Sequence, residues 1–155
     1  MAEELLQLTV FTVGDEEYGV DILRVRAIER LSEITKVPHA PPYVDGVINL
    51  RGKIIPVVDL RKRMGLEPRP LDKSAKIVVV ECGDETVGLR VDGVREVLRV
   101  PSSQTEPPPD LATQDVDYIE RLAKLDGRLI LVLNVERILD AGGSGAFQAA
   151  AKPVA

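Results

Sequence analysis

An internal repeat of short apolar segments restricts the fold of this 155-residue chain more than any other feature of its sequence. Residues 11–28 align with residues 80–97. Both stretches read as a strand, a Gly-Asp-Glu turn and a second strand, followed by a short turn and another apolar segment. Residues 52–60 align with residues 127–135 in the same way. Such a repeat indicates that one supersecondary unit is used twice, so the fold must contain two similar halves.

Each half contains about five short β segments and closes with a brief helix. The helices are predicted at 60–64, ended by Gly65, and at 135–139, ended by the pair Gly142-Gly143. Aromatic residues make up 3% of the chain and hydrophobic residues 45%, so the core must be aliphatic, which favours strands. The sequence therefore predicts an all-β fold of two small five-stranded barrels, SH3-like or OB-like, related by duplication.

The sequence predicts one domain over residues 1–141, followed by a disordered tail over residues 142–155. The tail is Gly-rich and then Ala-rich and has no periodic apolar face. Within the domain, one subdomain is expected at about 14–66, together with segments that pack against it, and the other at about 76–140, and an exchange of strands at their edges stays open.

Several local patterns predict how the strands are buried. Apolar and polar residues alternate from Leu6 to Val10, which indicates a strand buried on one face. The runs 76–81 and 128–133 are continuously apolar, which indicates strands covered on both faces. After the second strand, Asp21 is expected to cap a single helical turn that leads into the next strand.

A tight turn with an arginine at its tip interrupts the apolar segment from Tyr43 to Val57, which predicts a β-hairpin. The matching hairpin of the second half lacks this arginine, since Asn49, Leu50 and Arg51 correspond to Lys124, Leu125 and Asp126. An exposed arginine offers a planar five-donor fork to a carboxylate or carbonyl of a partner. An internal salt bridge of Arg51 is the alternative.

Composition argues against several classes of function. The net charge of −5 and the pI near 5.0 do not fit a nucleic-acid-binding face, which needs clustered basic residues. One cysteine, Cys82, and one histidine, His39, are too few for a metal site. His39 lies in a turn-rich connector, and no nucleophile with an adjacent base is recognisable. We therefore expect a protein without catalytic activity and without a cofactor.

The sequence also shows no pattern that indicates a signal peptide or a membrane-spanning segment. The chain begins Met1-Ala-Glu-Glu, without the basic and apolar regions of a signal peptide. No apolar run approaches the roughly 20 residues that cross a bilayer. The sequence thus predicts a soluble, cytoplasmic protein without direct membrane insertion.

Four motifs, in order and with compatible spacing, resemble the CheW family of bacterial chemotaxis coupling proteins. They are Gly14-Asp-Glu-Glu-Tyr-Gly-Val-Asp-Ile-Leu-Arg-Val25, Ile34-Thr-Lys-Val-Pro38, Gly46-Val-Ile-Asn-Leu-Arg-Gly52 with Ile55-Pro-Val-Val-Asp-Leu-Arg61, and Val91-Asp-Gly-Val94. The resemblance covers roughly residues 6–139.

The resemblance implies two SH3-like five-stranded barrels and no catalysis. It implies an adaptor between methyl-accepting chemoreceptors and the histidine kinase CheA, recruited to receptor arrays at the membrane, in flagellar chemotaxis or in another chemosensory pathway. The adaptor would bind the regulatory domain of the kinase through barrel ends, with self-association into rings possible. The cytoplasmic helical tip of the receptor would lie in the groove between the barrels, and an apolar groove suits a helix.

Roles carry over to residues that match the family motifs. The resemblance implies receptor contacts at the hairpin tip and on two groove walls: Arg51, Asn49, Leu50, Ile22, Val25, Val91, Gly93 and Val94. It implies kinase contacts on the first barrel: Tyr43, Val44, Gly46 and Val47. The chain departs from the family at Ala27, where a glutamate is frequent, so one polar receptor contact is expected to be missing.

Overall fold

Strands dominate the part of the chain that the structure, a computed structural model, describes: residues 4–30, 33–63, 65–67, 75–83, 85–108 and 119–140. In chain order they are β1 (Leu5–Val13), β2 (Glu16–Asp21), β3 (Val25–Arg30), β4 (Val44–Leu50), β5 (Lys53–Asp59), β6 (Lys76–Cys82), β7 (Glu85–Val91), β8 (Gly93–Pro101), β9 (Thr105–Glu106), β10 (Ile119–Leu125) and β11 (Arg128–Leu133). Helices α1 (Leu60–Arg63) and α2 (Val135–Asp140) follow β5 and β11, as predicted. The predicted all-β class is confirmed, and the predicted tail at 142–155 lies outside the described residues.

The strands form two sheets whose orders correspond element by element. The six-stranded sheet has the order β8-β1-β2-β11-β10-β9, and the five-stranded sheet has the order β3-β6-β7-β5-β4. The repeat matches β1, β2, β3, β4 and β5 with β6, β7, β8, β10 and β11, and under this match the first five strands of one sheet reproduce the other. The parallel pair keeps its register, with Gly19 opposite Val132 in one sheet and Gly88 opposite Val57 in the other. The added two-residue strand β9 makes one sheet larger than the predicted five strands.

Each sheet combines strands from both halves of the chain. The β1–β2 hairpin joins strands of the second half, and the β6–β7 hairpin joins strands of the first half. The sheets therefore do not correspond to the ranges 14–66 and 76–140, because the exchange involves a whole hairpin of each half. The chain crosses between sheets at the 3-10 turn Ile22–Arg24 and again at Asp92. The predicted cap of the first crossing is confirmed, since Asp21 Oδ1 accepts a hydrogen bond from the Leu23 N–H at 3.0 Å.

Apolar clusters lie within each sheet and between the two sheets. On β1, Leu8 and Val10 face the cluster of the six-stranded sheet, while Phe11 and Val13 face the cluster between the sheets. Gln7 is exposed, as the alternation predicts, but Thr9 is only 2% exposed, so the prediction that β1 is buried on one face holds only for the start of this segment. The exchange explains the burial of Thr9, because β1 lies inside the sheet, between β2 and β8, a strand of the second half, with apolar clusters on both of its faces.

The two continuously apolar runs have different outcomes. Residues 77–80 of β6 are buried and alternate between the cluster inside the five-stranded sheet and the one between the sheets, as predicted. In β11, Leu129 is 44% exposed, so that prediction holds only for part of the strand. Among the described residues, no helix is long and apolar enough to cross a membrane.

Candidate functional site

The β4–β5 hairpin presents Arg51 at its tip, as the sequence predicted. The loop has two residues, Arg51 and Gly52, with positive φ angles of 54° and 85°. The matching β10–β11 hairpin has the same loop, in which Asp126 and Gly127 have φ angles of 51° and 78°. The two tips therefore share one backbone conformation and differ in the side chain that they present.

Arg51 occupies a backbone conformation that suits another residue type. A two-residue turn with positive φ at both positions favours asparagine or aspartate first and glycine second. Asp126 follows this preference and Arg51 does not, which costs on the order of 1 kcal/mol. Strain kept at an exposed position where one substitution would relieve it indicates a role outside folding.

Replacing Arg51 with asparagine is expected to stabilise the protein, because asparagine adopts the left-handed conformation at lower cost. We expect the free energy of unfolding to rise by about 0.5 kcal/mol. Chemical denaturation of the two proteins side by side measures this difference. A clear loss of stability would show that Arg51 serves the fold.

The side chain of Arg51 extends towards β3. Its Nη2 lies 3.8 Å from Oε1 of Glu29, whose side chain is 30% exposed, while 83% of the Arg51 side chain stays exposed. The internal salt bridge considered for Arg51 is therefore present. An ion pair this exposed adds little stability, and it leaves most of the arginine side chain exposed. Glu29 lies four positions beyond Val25 along β3, a distance of about 13 Å. The tip therefore lies close to β3, the strand whose first residue, Val25, belongs to the predicted groove.

The predicted groove has two walls that are equivalent in the repeat. The first wall, residues 22–25, contains the 3-10 turn and Val25, and the second wall, residues 91–94, contains the β7–β8 corner and Val94. Val25 and Val94 are both partly buried and pack against the cluster between the sheets. The structure thus places the two valines on a common apolar core, each at the point where the chain crosses between sheets.

Other residues predicted to contact the receptor have different surroundings. Val91 is 1% exposed and belongs to the core, so its prediction as a surface contact is wrong. Leu50 is partly buried against the cluster inside the five-stranded sheet. Asn49 is exposed, and its side-chain Oδ1 accepts a hydrogen bond from the Gly52 N–H at 2.8 Å. Asn49 and Leu50 therefore support the tip that carries Arg51.

Two of the residues predicted to contact the kinase lie inside the protein. Val44 is 8% exposed and packs in the core between the sheets. Gly46 is buried because the chain at Thr35 crosses over it, and a Cβ there would lie 2.1 Å from the Thr35 carbonyl oxygen. Their prediction as surface contacts is wrong. Val47 is half-buried and exchanges two backbone hydrogen bonds with Thr35, at 2.8 and 2.9 Å.

Among the predicted kinase contacts, Tyr43 has a hydroxyl group that lies in an unusual environment. Its ring lies under the guanidinium of Arg63, 5.6 Å from the ring centroid, which is a cation–π distance. Its hydroxyl is buried and has no hydrogen-bond partner among the described residues. This burial raises the pKa of the Tyr43 hydroxyl.

Ala27, where the chain departs from the family motif, packs against the cluster inside the five-stranded sheet. Its neighbour Ile28 points outward and is 45% exposed. Position 27 thus faces inward, towards the same side of β3 as Glu29.

A charged network that the sequence did not indicate lies beside α1. Asp59, 1% exposed, pairs with Arg90 and also caps α1 by accepting a hydrogen bond from the Arg61 N–H at 3.0 Å. Asp45 lies 3.2 Å from Arg90 Nε and 3.6 Å from Lys62 Nζ. Burial raises the pKa of the Asp45 carboxyl, although Arg90 opposes the shift. The repeat could have indicated Asp59 as a helix cap, because the equivalent residue, Asn134, caps α2 by accepting a hydrogen bond from the Glu136 N–H at 3.1 Å.

Replacing Asp45 with asparagine is expected to change stability in a pH-dependent way. Because the pKa of Asp45 is raised in the folded state, the folded protein binds the proton more tightly, and ionisation above the ordinary value of 3.8 lowers stability. The melting temperature of Asp45→Asn relative to wild type should therefore rise from about pH 3 to about pH 7.

Glu17→Gln is the control of opposite sign. The hydrogen bond from Arg128 lowers the pKa of Glu17, so this pair contributes stability above the ordinary pKa and loses it as the pH falls. Relative to wild type, Glu17→Gln should be less stable at about pH 7 than at about pH 3. Parallel pH trends for the two variants would contradict one of the two assignments: a shared rise would contradict that of Glu17, and a shared fall that of Asp45.

The geometry combines a strained, exposed arginine with two equivalent crossings of the chain between the sheets. Val25 and Val94 at these crossings are partly buried, and the chain's one histidine, His39, lies exposed in a turn. Comparison with known proteins identifies the family of the chain. A family model described as the CheW-like domain matches residues 7–142.

Relatives match over most of the chain. The chemotaxis protein CheW of Klebsiella aerogenes is 35% identical over 134 residues, covering 86% of this chain and 81% of the relative. The protein of the same name from Bacillus subtilis is 36% identical, covering 86% of each chain. The scaffolding protein TtCheW from Thermoanaerobacter tengcongensis, which has a crystal structure, is 38% identical in sequence to this chain. The two structures superpose with a TM-score of 0.85, covering 90% of this chain and 96% of that one. The chain belongs to the CheW family.

Proposed function

We propose that this protein is a non-enzymatic adaptor that couples chemoreceptors to a CheA-type histidine kinase. Its relatives are named chemotaxis proteins, and a solved relative is described as a scaffolding protein. The observation that carries the proposal is Arg51, an exposed arginine in a backbone conformation that folding alone does not favour. The repeat has aspartate at the same place, so the arginine is specific to one sheet.

The receptor contact would combine one charged and several apolar residues. A receptor helix would lay an apolar face against Val25 and Val94, which already pack on a rigid core. Arg51 would donate hydrogen bonds to a carboxylate or to carbonyl oxygens of the same helix. Ile22, half-buried at the start of the first wall, would extend the apolar surface.

The kinase contact would involve Tyr43, just before β4, and Val47 on β4. Val44 and Gly46 would determine the shape of this face from inside the fold without touching the partner. Two modest contacts made at once would give an adaptor a high overall affinity in the complex. The protein would then act in the cytoplasm, recruited to receptor arrays.

A bridging experiment tests this function. A receptor cytoplasmic fragment is immobilised, and retention of the kinase is measured with and without this protein. We expect the kinase to be retained only when the protein is present. Retention that does not depend on the protein, with partners from the same cell, would contradict the adaptor function.

A further inference from the structure

The two walls of the predicted groove are fastened in different ways, although the repeat makes them equivalent. The second wall contains Asp92, whose carboxylate accepts two hydrogen bonds from Arg61, at 3.0 Å from Nε and 2.5 Å from Nη2. The Gly14 N–H donates a third, at 2.7 Å. The side chains of Arg61 and Asp92 are only 11% and 25% exposed, so this is a sheltered, bidentate ion pair.

The pair joins three segments of the chain. Arg61 is in α1, Gly14 is in the β1–β2 turn, and Asp92 is the residue at which the chain passes from one sheet to the other. Next to it, the Asp92 N–H donates to the Thr12 carbonyl at 2.9 Å, and the Thr12 hydroxyl donates to the Gly93 carbonyl at 3.4 Å. The residues that lead directly into Val94 are therefore held from both sides.

The first wall has a weaker equivalent of this fastening. In the repeat, Arg61 corresponds to Glu136, and Glu136 pairs with Arg24 at 3.1 Å. Both side chains of this pair are about half exposed, at 45% and 50%, so solvent screens the interaction. Leu23, which corresponds to Asp92, is 83% exposed. One wall is thus fixed by a sheltered pair, and the other by the Asp21 cap and an exposed pair.

We propose that Arg61 and Asp92 are positioning residues that hold Val94 and the second wall where a receptor helix contacts them. The inference rests on the proposed function and adds a role for two residues that would not touch the receptor. A bidentate pair between a helix of one half and a sheet crossing of the other fixes the corner in direction as well as in distance. Without it the corner loses its connection to α1, although the hydrogen bonds to Gly14 and Thr12 remain, and Val94 is held less firmly against the cluster between the sheets.

Two variants test the role. Asp92→Asn keeps the shape of the side chain and removes its charge, and Arg61→Lys keeps the charge and removes the fork. Binding of a receptor helical-tip fragment and of the kinase regulatory domain is measured separately for each variant, together with the melting temperature. We expect receptor affinity to fall by about tenfold in both variants, within the usual range of coupling through a packed network, while kinase affinity stays that of wild type.

Glu136→Gln is the matched control, since it removes the equivalent exposed pair, and it should leave both affinities unchanged. If Asp92→Asn fails to fold, the binding measurements on Arg61→Lys test the inference. Unchanged receptor affinity in a folded variant would overturn the inference, and so would an equal loss of receptor and kinase affinity, which would indicate a general structural role. Failure of the wild-type protein to bind the receptor fragment would instead contradict the proposed function.

Discussion

Replacing Arg51 with glutamate is expected to abolish receptor coupling while the fold remains intact. Glutamate places a negative charge where the arginine would donate hydrogen bonds, and it would lie near Glu29. Loss of an arginine anchor at an interface costs about 2 kcal/mol or more, so receptor affinity should fall by about thirtyfold or more. Titration of a receptor cytoplasmic fragment by calorimetry measures the change, and circular dichroism checks the fold.

The repeat provides a control that few single-site variants have. The double variant Arg51→Asp with Asp126→Arg exchanges the two tips, and it preserves composition, net charge and both turn conformations. It should bind the receptor as weakly as Arg51→Glu, because the arginine now lies on the other sheet. Wild-type affinity in the exchanged protein would show that the position of the arginine does not matter, which would contradict the assignment of the tip.

Replacing Gly46 with alanine is expected to cause a large loss of stability for the addition of one methyl group. The residue has a φ of 148°, and the added Cβ would lie 2.1 Å from the Thr35 carbonyl oxygen and 2.9 Å from Ile34 Cγ2. Overpacking against backbone and strain at positive φ add, so the free energy of unfolding should fall by about 3 kcal/mol or more. Urea denaturation with a fixed baseline fit measures it.

Gly65→Ala separates the two causes. Gly65 also has a positive φ, 76°, but a Cβ there would meet nothing within 4 Å, so its replacement tests backbone strain alone. We expect a loss of about 1 kcal/mol at this position. If Gly46→Ala keeps wild-type stability and loses kinase binding, Gly46 is a contact residue, as the sequence motif implied, and close packing against Thr35 does not explain the glycine.

The local elements of this fold were predictable because each rests on short-range physics. The cap at Asp21, the two-residue turn at Arg51 and the helix starts at Leu60 and Val135 depend on residues a few positions apart. The duplication itself was visible for the same reason, since equivalent turns need equivalent residues.

The exchange of hairpins was not predictable, because the repeat makes both pairings equally consistent with the apolar pattern. A hairpin such as β1–β2 presents the same alternation to either set of partner strands. The predictions at Val91, Val44 and Gly46 failed for a different reason. Matching a sequence motif identifies positions, but it does not show which face of a strand is covered. The Arg61–Asp92 pair was equally hidden, since it joins residues 31 positions apart, one from each half of the chain.

Autophosphorylation of a CheA-type kinase mixed with receptor cytoplasmic fragments, with and without this protein, is the decisive test of the adaptor function. We expect receptor control of the kinase to appear only when the protein is added, and to disappear again with Arg51→Glu. Receptor control that is the same with and without the protein, using receptor and kinase from the same cell, would show that this protein does not couple them.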